Sequence, residues 1–256
     1  MPDEMKSLAR ALMALEVLAA SPNGLVGTEL AQQLHVDKSS ASRLMQTLVR
    51  YGFAERDMDT RRFRLGPRIV SLSRIVLAQL SVRDQAKAFL RRLAEETGET
   101  AHLAIPAQEY ALHLDQIESS ATLKVSTPVG TLVPLHCTSL GKVLLAFGAV
   151  PIPEKLTGYT PRTITDPAIL RIHLEQTCQQ GYAVDDEEYE WGVRCLASPV
   201  FDYRGKVVAA IGVSGPAVRV SLEKTPQLGA FVAKVAGELS EQMKFKGPES
   251  QNDCAH

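Results

Sequence analysis

The stretch TELAQQLHVDKSSASRLMQTLVRYG, residues 28–52, holds two short amphipathic segments on either side of a tight turn. Thr28 is placed to cap a helix over TELAQQL that buries Leu30, Ala31 and Leu34, and HVD leads into a second helix starting near Lys38. In this second helix Ala41, Leu44, Met45 and Leu48 share one face. Lys38, Ser39, Ser40, Ser42, Arg43 and Gln46 occupy the rest, close to its N-terminal end. A helix-turn-helix presents that part of its second helix to a major groove, where Arg can bond guanine, Gln can bond adenine and hydroxyls fill in. The reading is a DNA-binding unit. The competing reading is a protein-docking module, because the same helices also serve that role.

Upstream, KSLARALMALEVLAA places Leu8, Leu12, Leu15 and Leu18 at the spacing of an amphipathic helix, which stops before Ser21, Pro22, Asn23 and Gly24. Downstream of Gly52 the period changes to two: FAERD, a turn at Met58, Asp59 and Thr60, then RRFRL. This predicts a hairpin, with Arg61, Arg62 and Arg64 on its second strand as a wing laid against phosphates. The charge distribution agrees. From Lys38 to Arg68 stand eight basic residues against three acidic, whereas beyond Arg74 there are 17 basic against 21 acidic. A basic third on a chain of formal net charge −1 is the electrostatic outline of binding to double-stranded DNA, and it favours DNA over the docking module.

Residues 1–66 thus read as a winged helix-turn-helix domain. Pro67 sits at a first helical position, and RIVSLSRIVLAQL carries Ile69, Leu72, Ile75 or Val76, and Leu80 at helical spacing, so 67–80 reads as a linker helix. Its apolar stripe either pairs with a copy in another subunit, as a palindromic site would require, or packs on its own chain. A further helix, DQAKAFLRRLAEETG, buries Ala86, Phe89, Leu90 and Leu93 and stops at Gly98. At 256 residues, 45% hydrophobic and 22% charged, the chain has room for two globular domains. It shows no signal peptide and no apolar run of the roughly 20 residues a membrane span needs, so a cytoplasmic protein without a membrane partner is expected. Cys137, Cys178, Cys195 and Cys254 form no CxxC pair and no zinc spacing; reduced thiols, no metal and no cofactor are expected.

From Thr100 short strands alternate with helices. TAHLAI, YALHLDQI, LKVST, YAVDD, RCLASPVFD and KVVAAIGVSG read as strands, the last two joined at Tyr203, Arg204 and Gly205. Residues 139–147, 166–180 and 226–243 read as helices. Hairpin-joined strands with helices before and after predict an α+β domain over 81–246, built on an antiparallel sheet, and 247–256 reads as a disordered tail. Within this domain VPLHCTSLGKVLLAF, residues 133–147, joins an extended segment to an apolar helix. Thr138 or Ser139 is the natural N-cap, and the first backbone N–H groups of such a helix suit a carboxylate or phosphate, or are met by water.

Three other groups carry chemistry. Asp185, Asp186, Glu187 and Glu188 form an acidic run that either faces solvent or holds a polar ligand or metal. Cys195, with His136 as base and Asp185 as orienter, has the parts of a cysteine-dependent hydrolase. Its apolar strand instead marks an inert, buried thiol, and with no nucleophile elbow, P-loop or metal spacing in the chain no enzyme is expected. Ser214, in GVSGP, is a turn residue or a pocket hydroxyl.

GTLVPLHCTSLGKVLLAF resembles the G-x-x-x-P-L-H-x-T-x-x-G-K pattern of the IclR-type bacterial transcriptional regulators. GYAVDDEEYEWGVRCLASPVFDYRGKVVAAIGVSGP is similar to that family's second signature, and KSSASRLMQTL to its recognition helix, so the match runs from about Lys6 to Met243. The resemblance implies a winged helix-turn-helix domain, a linker helix and a GAF-like effector domain, assembled on operator DNA as a homodimer or a dimer of dimers. It implies a small organic acid as effector: a keto acid, a sugar acid or an aromatic carboxylate. At matching positions the effector would meet Ser139 and Leu140 at the helix start and Asp185 and Cys195 across the pocket, with Gly212 and Ser214 on the adjacent strand and Val133 as an apolar wall. Gly212 stands where some members have a serine, and PRTITD, residues 161–166, resembles the sugar-acid-responsive branch. His136 and Cys137 then frame the helix rather than react.

Overall fold

The computed structural model describes residues 5–79 and 81–243. The side chains of Ile75, Val76 and Leu80, expected on the linker stripe, and the tail 247–256 lie outside the described residues. The chain divides between positions 80 and 81 into two compact units.

The first unit runs α1 (Lys6–Ala19), α2 (Gly27–Gln33), α3 (Lys38–Arg50), β1 (Ala54–Arg56), β2 (Phe63–Leu65) and α4 (Arg68–Gln79). Its core is Ala14, Leu18, Leu30, Leu34, Met45, Leu48, Ala54 and Phe63, so three helices and the hairpin close over one apolar cluster. On α1 burial begins at Ala14, and Leu8 and Leu12 stay exposed despite the periodic pattern. Thr28 is not the cap of α2. The helix starts one residue earlier, where the Glu29 carboxylate accepts the Val26 N–H at 2.9 Å, which places Thr28 inside the first turn. His35, at φ 50°, makes the sharp turn, and Asp37 caps α3 by accepting from the Ser40 N–H at 2.9 Å. The hairpin is antiparallel, with Glu55 opposite Arg64, and Leu25 exchanges both backbone bonds with Phe63 in a single bridge beside β2. Arg61 and Arg62 precede β2 instead of lying on it: Arg61 is left-handed at φ 57°, which keeps it in the turn, and only Arg64 of the expected trio sits on the strand.

The second unit runs α5 (Ser81–Thr97), β3 (Thr100–Ala107), β4 (Tyr110–Ile117), β5 (Leu132–Pro134), α6 (Ser139–Ala146), α7 (Pro167–Gln180), β6 (Ala183–Asp186), β7 (Val193–Phe201), β8 (Val207–Pro216) and α8 (Thr225–Gln242). All six strands form one antiparallel sheet in the order β5-β4-β3-β8-β7-β6. Helices α5 and α8 cover one face, and α6, backed by α7, covers the other. Phe89, expected in the core of α5, is only partly buried beside the fully buried Ala86, Leu90 and Leu93. LKVST is not a strand: Leu123 is 63% exposed, and the edge position beside β4 is taken by Leu132–Pro134. Among the described residues no helix is long and apolar enough to cross a membrane.

Register fixes which residues share the face beneath α6, because directly opposed residues of a sheet point the same way. One row across the strands is Asp185, Cys195, Ser214 and Thr100; the next is Ala183, Ala197, Gly212 and His102. The bulge between Leu103 and Ala104 brings His113 opposite Ala104, and Val133 pairs with Ala111 on the same face.

Candidate functional site

In the first unit Lys38, Ser42, Arg43, Gln46 and Arg50 are exposed on one side of α3 while Ala41, Met45 and Leu48 are buried on the other. Ser39 and Ser40, expected to face bases, both donate to Asp37, at 2.5 and 2.7 Å, and these bonds hold the Asp37 carboxyl well below the usual carboxylate range. A groove of about 670 Å³ between α3 and the hairpin is lined by Lys38, Ser42, Gln46, Arg50, Arg56 and Arg61. Arg62 is turned inward, donating to the Gly24 carbonyl at 2.7 Å and pairing with Glu29 at 3.4 Å, so it ties the hairpin to α2. Arg50 and Arg56 replace it on the basic rim. Their signal in the sequence was the local charge excess rather than any spacing. This surface has the charge and the hydrogen-bonding groups that DNA backbone and base edges require.

In the second unit α6 begins where Thr138 accepts the Gly141 N–H at 3.1 Å and donates to the Pro134 carbonyl at 2.6 Å. The Lys142 N–H makes the first helical bond, to the Thr138 carbonyl, so the N–H groups of Ser139 and Leu140 have no hydrogen-bond partner among the described residues. Both residues are buried. Two unpaired N–H groups at a helix start are donors of the kind that suits an anion. The helix can lie this low because Gly141 touches the chain leaving β5: a Cβ there would stand 2.4 Å from Leu135 Cα and O.

Across the same face Asp185 is 2% exposed and accepts the Glu188 N–H at 2.8 Å. Burial pushes its carboxyl up to about 7, outweighing that hydrogen bond and the nearby Lys142. Cys195 keeps some accessible surface and touches Asp185 and Ser214; burial, then Asp185, drives its thiol well above the ordinary value. Val133, Ser139, Leu140, Asp185, Cys195, Gly212 and Ser214 are all gathered on the α6 side of the sheet. Gly212 does more than omit a serine hydroxyl. A Cβ at this position would meet the Leu196 carbonyl oxygen at 2.1 Å and Ala197 Cβ at 2.9 Å, so the strand approach itself demands glycine.

The acidic run is divided between two jobs. Asp186 and Glu187 pair with Arg194, and Asp186 also takes Arg162 at 2.6 Å. Glu188 pairs with Lys142, which is 1% exposed and also donates to the Val184 carbonyl at 2.9 Å. Among the described residues no three His, Cys, Asp or Glu side chains are arranged to hold a metal. Of the parts named for a hydrolase, Cys195 has its thiol pushed up by burial, the opposite of the depression that activates a nucleophilic cysteine, and His136 Nε2 is engaged with the Thr157 carbonyl at 2.9 Å. Sequence reasoning missed the Lys142–Glu188 pair and the two buried histidines, His102 and His113. Strand alternation could have found the histidines, since each stands two positions from an alanine on the face beneath α6.

Comparison with known proteins agrees with both units. The family model for the bacterial transcriptional regulator IclR C-terminal region matches residues 74–241, and the model for the IclR helix-turn-helix domain matches residues 7–58. The HTH-type transcriptional regulator BhcR of Paracoccus denitrificans (strain Pd 1222) is 38% identical over 243 residues, covering 92% of this chain and 86% of the relative. The transcriptional repressor IclR of Escherichia coli (strain K12) is 33% identical over 245 residues, covering 93% and 89%. The crystal structure of Thermotoga maritima IclR matches with a TM-score of 0.72 at 30% identity, covering 94% of this chain and 100% of that one. A basic winged helix-turn-helix is thus followed by an antiparallel-sheet domain in a chain matched by both models, and the chain belongs to the IclR family of bacterial transcriptional regulators, DNA-binding proteins with an effector-binding C-terminal domain.

Proposed function

We propose that this regulator binds operator DNA through residues 1–66 and a small organic acid through residues 81–246, with 67–80 joining them. The carboxylate of the acid meets the N–H groups of Ser139 and Leu140, and Asp185, Cys195 and Ser214 face the rest of the molecule over the sheet, with Val133 as an apolar wall. Arg43 and Gln46 read base edges, while Lys38, Arg50, Arg56, Arg61 and Arg64 hold phosphates. The protein acts in the cytoplasm as a homodimer or a dimer of dimers, which places two recognition helices on a palindromic operator. It performs no catalysis.

The observation that carries this reading is the pair of buried N–H donors at the start of α6, above a sheet row that ends in a carboxyl pushed up to about 7. A carboxyl that is half protonated near neutrality can donate a hydrogen bond to an anion as well as accept one from a hydroxyl. The test is thermal unfolding in the presence of a series of small carboxylates, for wild type and Ser139→Pro. Proline is well tolerated at a first helical position and removes one donor. A bound acid at about 100 times its Kd should stabilise wild type by about 2.7 kcal/mol, and Ser139→Pro should lose most of that stabilisation. Equal stabilisation of both proteins would place the acid elsewhere.

A further inference from the structure

His102 and His113 lie outside every role described so far. They stand on the α6 side of the sheet, with their rings edge to face at a centroid distance of 5.2 Å. His102 is directly opposite Gly212, one row along from Ser214, Cys195 and Asp185. Both histidines are buried, at 1% and 5% exposure, yet among the described residues neither ring nitrogen of His102 has a hydrogen-bond partner, and Nδ1 of His113 has none. Buried polar side chains are nearly always satisfied, by protein, by water or by a ligand. Among the described residues the three imidazole nitrogens have only the small side chains of Ala104, Ala197 and Ala210, with Gly212, across the neighbouring rows of this face, and none of these supplies a partner.

We propose that His102 and His113 form a polar subsite of the effector pocket that hydrogen-bonds an oxygen on the non-carboxylate part of the ligand. The effector is accordingly a hydroxy or keto acid rather than an acid whose remainder is hydrocarbon. The proposal rests on the effector site proposed above. It assigns the carboxylate to the Ser139 and Leu140 end and the second oxygen to the histidine end.

The protonation state selects the oxygen. Burial, and for His102 also the neighbouring His113, pushes the two imidazoles down to about 3 and about 4, so both are neutral at physiological pH. A neutral imidazole offers one N–H and one acceptor lone pair. A hydroxyl, which donates and accepts, matches two neutral rings, and a keto oxygen can take the N–H of either. A second carboxylate gains no charge pairing from a neutral pair. A hydrocarbon tail leaves the nitrogens unsatisfied, which is the situation that makes polar sites reject analogues lacking the group they were built to bond.

The experiment is calorimetric titration of the full chain with acids matched in carbon skeleton and differing in oxygen: glycolate and glyoxylate against acetate, and gluconate against hexanoate. Wild type should bind the oxygenated member of at least one pair about tenfold tighter or more, the factor that about 1.4 kcal/mol of lost hydrogen bonding produces. His102→Phe and His113→Phe should lose that discrimination, and His102→Gln, which keeps a donor and an acceptor, should retain part of it. Imidazole ¹⁵N resonances of the unmodified protein give a second reading that needs no variant, and those of His102 and His113 should move when the oxygenated acid saturates the site. Discrimination unchanged in the Phe variants, or resonances that stay still in a saturated protein, overturns the subsite while leaving the carboxylate site standing. Failure of every acid to bind wild type overturns the effector site itself, and the subsite with it.

Discussion

Single residues set both how α6 packs on the second unit and how that unit responds to pH. At Gly141 the loss of hydrogen as a side chain cannot be absorbed, since the groups a Cβ would strike are Leu135 backbone atoms rather than the end of a flexible side chain. Gly141→Ala is expected to lower unfolding free energy by about 1–3 kcal/mol, read by denaturant titration, and to weaken acid binding because α6 must rise off the sheet. Asp185 and the histidine pair make opposite contributions to stability between pH 4 and 7. Asp185 has a folded pKa, about 7, above its unfolded value, so the unfolded state loses its proton first and stability falls as pH rises through that window. For His102 and His113 the folded values lie below the unfolded one, so the unfolded state binds protons first and stability falls as pH drops below about 6.5. Unfolding midpoints measured across pH 4 to 8 should therefore show Asp185→Asn removing a loss on the alkaline side and His102→Phe removing a loss on the acid side. Shifts of the other sign would mean that these side chains are not buried in the forms described.

At the scale of elements, much was legible in the sequence where the determinant is local. The spacing of Ala41, Met45 and Leu48 gave α3, and the helix read over 166–180 is α7, where Asp166 proves to be the cap and Gly181 the left-handed stop. The errors lie where a distant partner decides. LKVST has strand composition, but the place beside β4 goes to Leu132–Pro134, and nothing within the segment reveals that competition. Arg62 reads as a wing phosphate contact until the fold brings Gly24 and Glu29 to it. Nothing local to Lys142 announces its partner Glu188, which lies 46 positions on. The site shows the same division: the donors at Ser139 and Leu140 follow from a helix start, while the histidine pair needs the register of β3 and β4. The two arginine groups of the first unit differ in what they should do. Arg43→Ala is expected to cost about 1–3 kcal/mol of operator binding and relax preference at one base, whereas Arg64→Ala should weaken binding evenly across sequences and reduce the salt slope by about one. Competition gel shifts at several salt concentrations separate these outcomes.

For the whole molecule the question is thermodynamic. A regulator works if its effector binds the DNA-competent and DNA-incompetent populations with different affinity, and the coupling is reciprocal: operator DNA must change effector affinity by the same factor. A coupling of about 1–3 kcal/mol corresponds to a change in operator affinity of about 5- to 150-fold. In the proposed reading the buried donors of α6 take the acid, and the basic groove between α3 and the hairpin takes the DNA. The direct measurement is fluorescence anisotropy of an operator fragment titrated with the full chain, with and without an acid that raises its melting temperature. The account predicts a change in operator affinity within that range for wild type, and none for Ser139→Pro, whose affinity in the absence of acid should match wild type. An acid that stabilises wild type through this site and leaves operator affinity unchanged would contradict it.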